Sequence, residues 1–184
     1  MKIKPGYLFA IAGAAALSAC NTYAGAGTGV GVGTNAAVAG MPGVGVTQQA
    51  FVHMAAANSA FEIQAAQLAT PMSTDPQVRA YAQKMINDHT MATQTLQRAA
   101  AEARVPIDMT LTAEQQASLS ALRSAGTAAN FNALYKQQMM LSHERAYAML
   151  QVGAQMNQWQ ALQGWARAHL PIIQNHLMMA RQLP

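Results

Sequence analysis

Apolar residues recur at steps of three and four along most of the chain after residue 47, which is the period of a helix with one buried face. The three longest stripes are Val78, Ala82, Met85, His89, Ala92 and Leu96; Tyr135, Met139, His143, Ala146 and Leu150; and Trp159, Leu162, Ala166, His169, Ile173, His176, Ala180 and Leu183. No segment of this region has a convincing strand pattern. The pattern therefore predicts one all-α domain over residues 47–184.

Start and stop signals divide the first half of this domain. Helix A is predicted over residues 48–69. Asp75 and Pro76 mark the start of helix B, as an N-cap followed by proline at the first helical position, and this helix is expected to end near Arg104. Thr112 with Gln115 forms a capping box for a short helix that ends near residues 124–126.

Two long helices are predicted in the second half. Asn130 is expected to cap helix C, which continues to about Met156, and Asn157 is expected to cap helix D. Pro171 should kink or split helix D, because proline lacks the backbone N–H that a helix interior requires.

The N-terminus predicts a lipoprotein signal. Lys2 and Lys4 precede an apolar run over residues 7–17, and Leu17-Ser18-Ala19-Cys20 then places small residues before the only cysteine. The segment resembles a bacterial lipoprotein signal, which implies a signal peptide over 1–19, acylation of Cys20 and attachment to the membrane through that lipid. The resemblance, with Asn21 after the cysteine, implies the outer membrane, facing the periplasm. The alternative is an ordinary secretory signal that is cleaved elsewhere.

A Gly, Ala and Val-rich stretch separates the signal from the helices. Residues 20–46 contain almost no large or charged side chains, so they are predicted to form a flexible tether between the lipidated cysteine and the domain.

Four of the five histidines, His89, His143, His169 and His176, lie on apolar stripes. An imidazole buried without a partner is costly, so this pattern indicates a buried polar site. His53, near the start of helix A, is more typical of the surface or of end packing.

Several short motifs identify a family. Asn58 with Glu62-Ile63, Met85 through Asp88-His89-Thr90, Tyr135 followed by His143, and Leu170-Pro171 followed by His176-Leu177 resemble the bacterial domain of unknown function 4142. The resemblance covers about residues 48–183 and implies a ferritin-like antiparallel four-helix bundle, with a long B-to-C crossover that contains the short helix. Phe131-Asn132 departs from the family's usual Phe-Asp, so this chain lacks the carboxylate that family members usually have at that position.

In that topology the helical rise predicts the height of each polar residue. His89, His143 and His169 come out at one level, and Glu62 and His176 come out about two turns or less above it. Asn58 and Asp88 lie between these levels. One polar layer, or two adjacent layers, is therefore expected inside the bundle.

Such a layer has the donors of a metal site. Imidazoles with one carboxylate suit zinc, copper, nickel or iron. The predicted ligands are Glu62, His89, His143 and His176, with Asn58, Asp88, Glu144 and His169 in reserve or supporting positions. Ferritin-type di-iron sites need a Glu-x-x-His motif on two helices, and this chain has adjacent Asp88-His89 and His143-Glu144 instead. A mononuclear site is therefore favoured over a dinuclear one.

A second interpretation stays open. Asn58, Glu62 and Asp88 could satisfy the histidines with no ion present, so that the polar core only fixes helix packing in a structural or interaction module of the envelope. The sequence carries no recognisable catalytic constellation. The formal charge of +4 falls to about +2 without Lys2 and Lys4, and the basic residues are dispersed, so a nucleic-acid partner is not expected.

Overall fold

Five α-helices and no β-strand make up residues 46–184, the part of the chain that the computed structural model describes. The helices are α1 (Gln48–Met72), α2 (Pro76–Glu102), α3 (Ala113–Arg123), α4 (Ala128–Gly153) and α5 (Gln160–Gln182). The predicted all-α class is confirmed. The predicted signal peptide, Cys20 and residues 20–45 of the tether lie outside the described residues.

The predicted start signals of α2 and α3 are confirmed. Asp75 Oδ1 accepts hydrogen bonds from the backbone N–H groups of Gln77 at 2.8 Å and Val78 at 3.1 Å, which satisfies two donors that the first turn leaves free. The Thr112 hydroxyl and the Gln115 side chain form the reciprocal bonds of a capping box at α3.

The caps predicted for the last two helices are wrong. Thr127, not Asn130, caps α4, because its hydroxyl accepts the Asn130 N–H at 3.2 Å. α4 ends at Gly153, and α5 begins after Trp159 with no side-chain cap. Asn157 instead accepts a hydrogen bond from the Gln163 side chain at 2.7 Å.

Pro171 does not split α5, which is a single helix from Gln160 to Gln182. The proline is exposed, so water can reach the backbone groups that its missing N–H leaves without a helical partner.

The four long helices pack as a ring. α1 contacts α2 and α4, and α5 contacts the same two helices. α3 lies within the long connection between α2 and α4, as predicted, and packs against α1 and α4. Within residues 46–184, none of the helices combines the length and the apolar character needed to span a bilayer.

The ring encloses two separate clusters of buried apolar side chains. Cluster 1 includes Phe51, Leu96, Leu150 and Leu162, and cluster 2 includes Phe61, Met85, Tyr135 and Ala180. All four long helices contribute to both clusters, so the helices are held together on either side of the layer between the clusters.

Candidate metal centre

One polar residue from each long helix lies between the two apolar clusters. These residues are Glu62 on α1, His89 on α2, His143 on α4 and His176 on α5, and each is at most 2% exposed. The helical period explains the position. His143, for example, follows Met139 of cluster 2 by four residues and precedes Ala146 of cluster 1 by three. The polar layer is therefore sealed by apolar side chains at both ends.

The three imidazoles of this layer face one another. Their ring centroids are 5.7 Å apart for His89 and His143, 5.5 Å for His89 and His176, and 5.3 Å for His143 and His176. Each ring offers one nitrogen to a group in which all three nitrogens lie within 4.8 Å of one another. We refer to His89, His143 and His176 as the histidine trio. Its geometry is compatible with one shared metal ion.

Hydrogen bonds orient two rings of the trio. His143 Nδ1 lies 2.8 Å from the Met139 carbonyl oxygen, and His176 Nε2 lies 2.7 Å from Asp88 Oδ2. A carbonyl or an ionised carboxylate only accepts, so both nitrogens carry the proton and donate it. The opposite nitrogens, Nε2 of His143 and Nδ1 of His176, then carry free lone pairs. Both are buried and have no hydrogen-bond partner among the described residues.

His89 has no hydrogen bond on either ring nitrogen among residues 46–184. Burial, followed by repulsion from His143, His176 and His169, holds its pKa well below the ordinary value. Burial also lowers the pKa of His176 to about 4, against the opposing bond to Asp88. Both rings are therefore neutral at pH 7, which is the form that binds metal ions.

Glu62 lies beside the trio. Its Oε1 is 3.4 Å from His143 Nδ1, and neither carboxyl oxygen has a hydrogen-bond partner within the described part of the chain. Burial raises the pKa of Glu62, while the neighbouring His143 and Ser142 lower it by smaller amounts. The Ser142 hydroxyl bonds to Asn58 Oδ1 at 2.9 Å, so the carboxyl stays without a firm partner.

Two buried tyrosines adjoin this carboxyl. Burial, with the nearby Glu62 as a second cause, raises the pKa of both Tyr81 and Tyr135. The Tyr135 hydroxyl has no hydrogen-bond partner among residues 46–184, and the Tyr81 hydroxyl makes a long bond of 3.4 Å to the His176 carbonyl. Both tyrosines therefore stay protonated, and Tyr135 can donate its proton to a negative group nearby.

The residues that were predicted in reserve or supporting positions do not lie together in the structure. Asp88 supports His176 and also binds Lys84 Nζ at 2.8 Å. Glu144 is exposed and pairs with Arg181, so it does not reach the trio. His53 bonds to the Asp108 carbonyl at 3.2 Å, in the end position predicted for it.

The predicted height of His169 is corrected. His176, not His169, completes the trio, and His169 is only partly buried and stacks on Trp165 with centroids 4.3 Å apart. Two backbone bonds, Gln155 N–H to Val152 and Met156 N–H to Gly153, form turns that prolong the end of α4. His176 rather than His169 lies at the level of His89 and His143, so α5 is offset along α4 from the position that the helical rise predicted.

Several groups of the site were not predicted. The Met139 carbonyl is a backbone group that no residue pattern marks, and Tyr81 and Tyr135 resemble ordinary core aromatics in sequence. The contact between Lys84 and Asp88 could have been predicted, because residues four positions apart lie on the same face of a helix.

The arrangement offers three imidazole nitrogens and one adjacent carboxyl in a buried layer. This donor set suits one ion of a borderline transition metal. Neither a curated protein nor a solved structure matches the chain. A protein family described as "Domain of unknown function (DUF4142)" matches residues 33–183, and the chain therefore belongs to that family.

Proposed function

We propose that this domain binds a single transition-metal ion through His89, His143 and His176, with the Glu62 carboxyl as an additional ligand or a neighbouring acceptor. One observation carries the proposal. The buried, unpartnered polar atoms of the trio and Glu62 all belong to the same layer. An unsatisfied buried polar group costs roughly 1–3 kcal/mol, and one ion would satisfy several such atoms together.

The hydrogen bonds around the layer also favour an ion. In metalloproteins, a ligating histidine usually donates its second N–H to a carboxylate or a backbone carbonyl, which fixes the ring. His176 has this arrangement with Asp88, and His143 has it with Met139. Each bond leaves the ligand nitrogen free.

The alternative, in which the polar core only fixes helix packing, requires that the histidines be satisfied by Asn58, Glu62 and Asp88. Asn58 bonds to Ser142 instead. Asp88 satisfies one nitrogen of His176, and Glu62 approaches a His143 nitrogen that Met139 already occupies. The packing interpretation therefore leaves three histidines incompletely satisfied, which disfavours it.

A mononuclear site fits better than a dinuclear one. Glu144 pairs with Arg181 at the surface, and Asp88 binds Lys84 and His176, so neither carboxylate is free to bridge a second ion. Zinc, copper, nickel and iron remain the candidate ions. Nitrogen donors bind divalent copper most tightly in this series.

We further propose that the four long helices form an antiparallel four-helix bundle of the ferritin-like type. Two features support this topology: the ring of contacts among α1, α2, α5 and α4, and the long connection through α3. In such bundles, ligands project inward from facing helices, as the residues of the polar layer do here.

The cellular setting is a separate proposal, in which lipid on Cys20 attaches the domain to the outer membrane, facing the periplasm. The support is the sequence Leu17-Ser18-Ala19-Cys20. Cys20→Ala should prevent lipidation, and cell fractionation should then find the protein released or unprocessed. Normal maturation and envelope association of the variant would contradict the anchor.

Metal binding is tested by titration of the protein, purified without a polyhistidine tag and treated with a chelator. Isothermal calorimetry with Zn²⁺, Cu²⁺, Ni²⁺ and Fe²⁺ should find one site for at least one ion, and that ion should raise the melting temperature with concentration. His143→Ala should abolish both effects.

His53→Ala is the matched control, because His53 is also bonded to a backbone carbonyl but lies away from the trio. It should leave binding unchanged. The proposal fails if no ion binds, or if His143→Ala binds as tightly as the unsubstituted protein. The packing interpretation would then stand, with each histidine variant less stable whether metal is present or not.

A further inference from the structure

The polar layer adjoins a cavity that reaches the protein surface. This cavity, of about 460 Å³, lies between α2 and α5. Its potential metal-binding or charged lining residues are Lys84, Asp88, Met91, His169, Asn175 and His176. Met91 is 64% exposed, whereas His176 is 1% exposed. The cavity therefore extends from solvent to one member of the histidine trio.

We propose that this cavity is the route by which a transition-metal ion reaches and leaves the trio, and that His169 is the first imidazole to bind the ion on that route. The inference rests on the proposed function, because it assumes that the trio is the destination. The proposal adds a transient metal-binding site at His169 to the resident site at the histidine trio.

His169 is oriented as a ligand. Its Nδ1 donates to the Trp165 carbonyl at 2.7 Å, so Nε2 keeps a free lone pair. His143 uses the same bond to the carbonyl four residues earlier. The ring of His169 also stacks on Trp165, whose indole N–H donates to Thr95 Oγ1 at 3.0 Å. These contacts hold an imidazole in the cavity wall before any ion arrives.

The inner wall of the cavity is the hydrogen-bonded pair of Asp88 and His176. The Asp88 carboxylate is 25% exposed and can attract a cation. Lys84 Nζ lies 2.8 Å from the same oxygen that His176 contacts, and its charge offsets that of the carboxylate. A cation is therefore held less tightly at Asp88 than at a carboxylate without these partners, as a transient position on a route requires.

A second cavity of the described structure offers no comparable path. It has a volume of about 590 Å³ and lies beside Thr47 and Trp159 at the start of α1 and α5, with no histidine in its lining.

Kinetic measurements distinguish a residue on the entry route from a residue that binds the resident ion. A group on the route changes the barrier but not the bound and free end states, so its removal changes association and dissociation by the same factor. Removal of a resident ligand changes the dissociation constant. The experiment is stopped-flow mixing of the chelator-treated full chain with Cu²⁺. Quenching of the fluorescence of the two tryptophans, Trp159 and Trp165, follows the reaction, and calorimetry gives the dissociation constant.

Two variants test the route. His169→Ala removes the first imidazole, and Asn175→Phe narrows the cavity with a bulky side chain. Each should slow both association and dissociation by roughly ten-fold, within the range over which such rates vary among variants, and leave the dissociation constant unchanged. Gln174→Phe is the matched control, because Gln174 is exposed on α5 but does not line the cavity.

The outcomes distinguish the two proposals. The route is overturned if both variants load at the unsubstituted rate while His143→Ala fails to bind. It is also overturned if His169→Ala weakens equilibrium binding in proportion to the rate, since His169 would then be a resident ligand. If calorimetry finds no site for any of Zn²⁺, Cu²⁺, Ni²⁺ and Fe²⁺, or if His143→Ala takes up Cu²⁺ as well as the unsubstituted protein, the proposed function fails and the route fails with it.

Discussion

His176 Nε2 donates a hydrogen bond of 2.7 Å to Asp88 Oδ2, and this contact ties α5 to α2 at the level of the polar layer. The bond determines which nitrogen of His176 faces the other two histidines. The remaining acid–base contacts of the layer are longer or absent among the described residues, as the 3.4 Å separation of Glu62 and His143 illustrates.

Asp88→Asn should weaken metal binding without abolishing it. The asparagine can still accept from His176 but is neutral, so it orients the ring less firmly and makes the ligand nitrogen less basic. Loss of such a supporting group typically costs about 10–100-fold in metal affinity. Calorimetric titration measures the change, with Glu144→Gln as the control because Glu144 pairs with Arg181 at the surface. Equal affinity in Asp88→Asn would contradict a supporting role.

Glu62→Gln should have opposite effects on stability and on metal binding. Burial raises the pKa of Glu62, which means that the ionised carboxylate is costly in the folded state. The neutral amide removes that cost, so the metal-free variant should have a higher free energy of unfolding at pH 7. Metal affinity should fall, because an anionic donor beside the ion is lost.

Urea unfolding and calorimetry on the same samples measure the two effects of Glu62→Gln. A variant that is less stable without metal would indicate that the carboxyl has a hydrogen-bond partner in solution. A variant with unchanged affinity would remove Glu62 from the ligand set.

The helices were largely predictable because their signals are local. The apolar period of α2 and the caps at Asp75 and Thr112 depend on residues a few positions apart. The start of α4 was predicted wrongly, because Thr127 and Asn130 are both good N-cap residues three positions apart. The start of α5 has no side-chain cap at all, so no sequence signal marked it.

The site was predictable in part. Burial of His89, His143 and His176 follows from their positions on apolar stripes. His176 was correctly placed among the predicted ligands, but the levels of His169 and His176 depend on how far α5 is offset along α4, which no local pattern shows. The pairing of Asp88 with His176 spans 88 positions of the chain, so it depends on which helices are neighbours and not on any local pattern.

The metal-free protein should lose stability as the pH falls from about 6.5 to about 4. The pKa of His176 is about 4 in the folded protein and that of His89 is also lowered, whereas both titrate near 6.5 in an unfolded chain. The unfolded state therefore binds protons in this interval that the folded state does not, which favours unfolding as the pH falls. His176 alone would contribute roughly 3 kcal/mol.

Glu62 has the opposite effect on the way in which stability changes with pH. Its raised pKa stabilises the folded state as the pH falls towards 4.5, and that contribution is lost as the pH rises through the folded pKa. The lowered pKa values of His89 and His176 act against the effect of Glu62. We therefore expect a net loss of stability as the pH falls. Urea unfolding in the presence of a chelator at several pH values measures it, and His176→Asn should give a shallower dependence. Stability that rises steadily towards pH 4 would contradict the burial of neutral histidines.

Two glycines should respond in opposite directions to substitution by alanine. At Gly153, a Cβ would clash with Phe51 Cε2, would lie 2.7 Å from Phe51 Cζ and would lie 3.0 Å from the Ala166 Cβ. Phe51 is fully buried and packs edge-on against Trp165, so its ring has little room to move. Gly153→Ala should lower the free energy of unfolding by about 1–3 kcal/mol.

Gly164 is the matched control for that overpacking. It lies inside α5, is exposed, and a Cβ there would meet nothing within 4 Å. Gly164→Ala should raise the free energy of unfolding by about 0.5–1 kcal/mol, because alanine loses less backbone entropy in a helix. Chemical denaturation of the two variants side by side measures the difference. A neutral or stabilising Gly153→Ala would mean that the contact between the end of α4 and the start of α1 is looser than this packing requires.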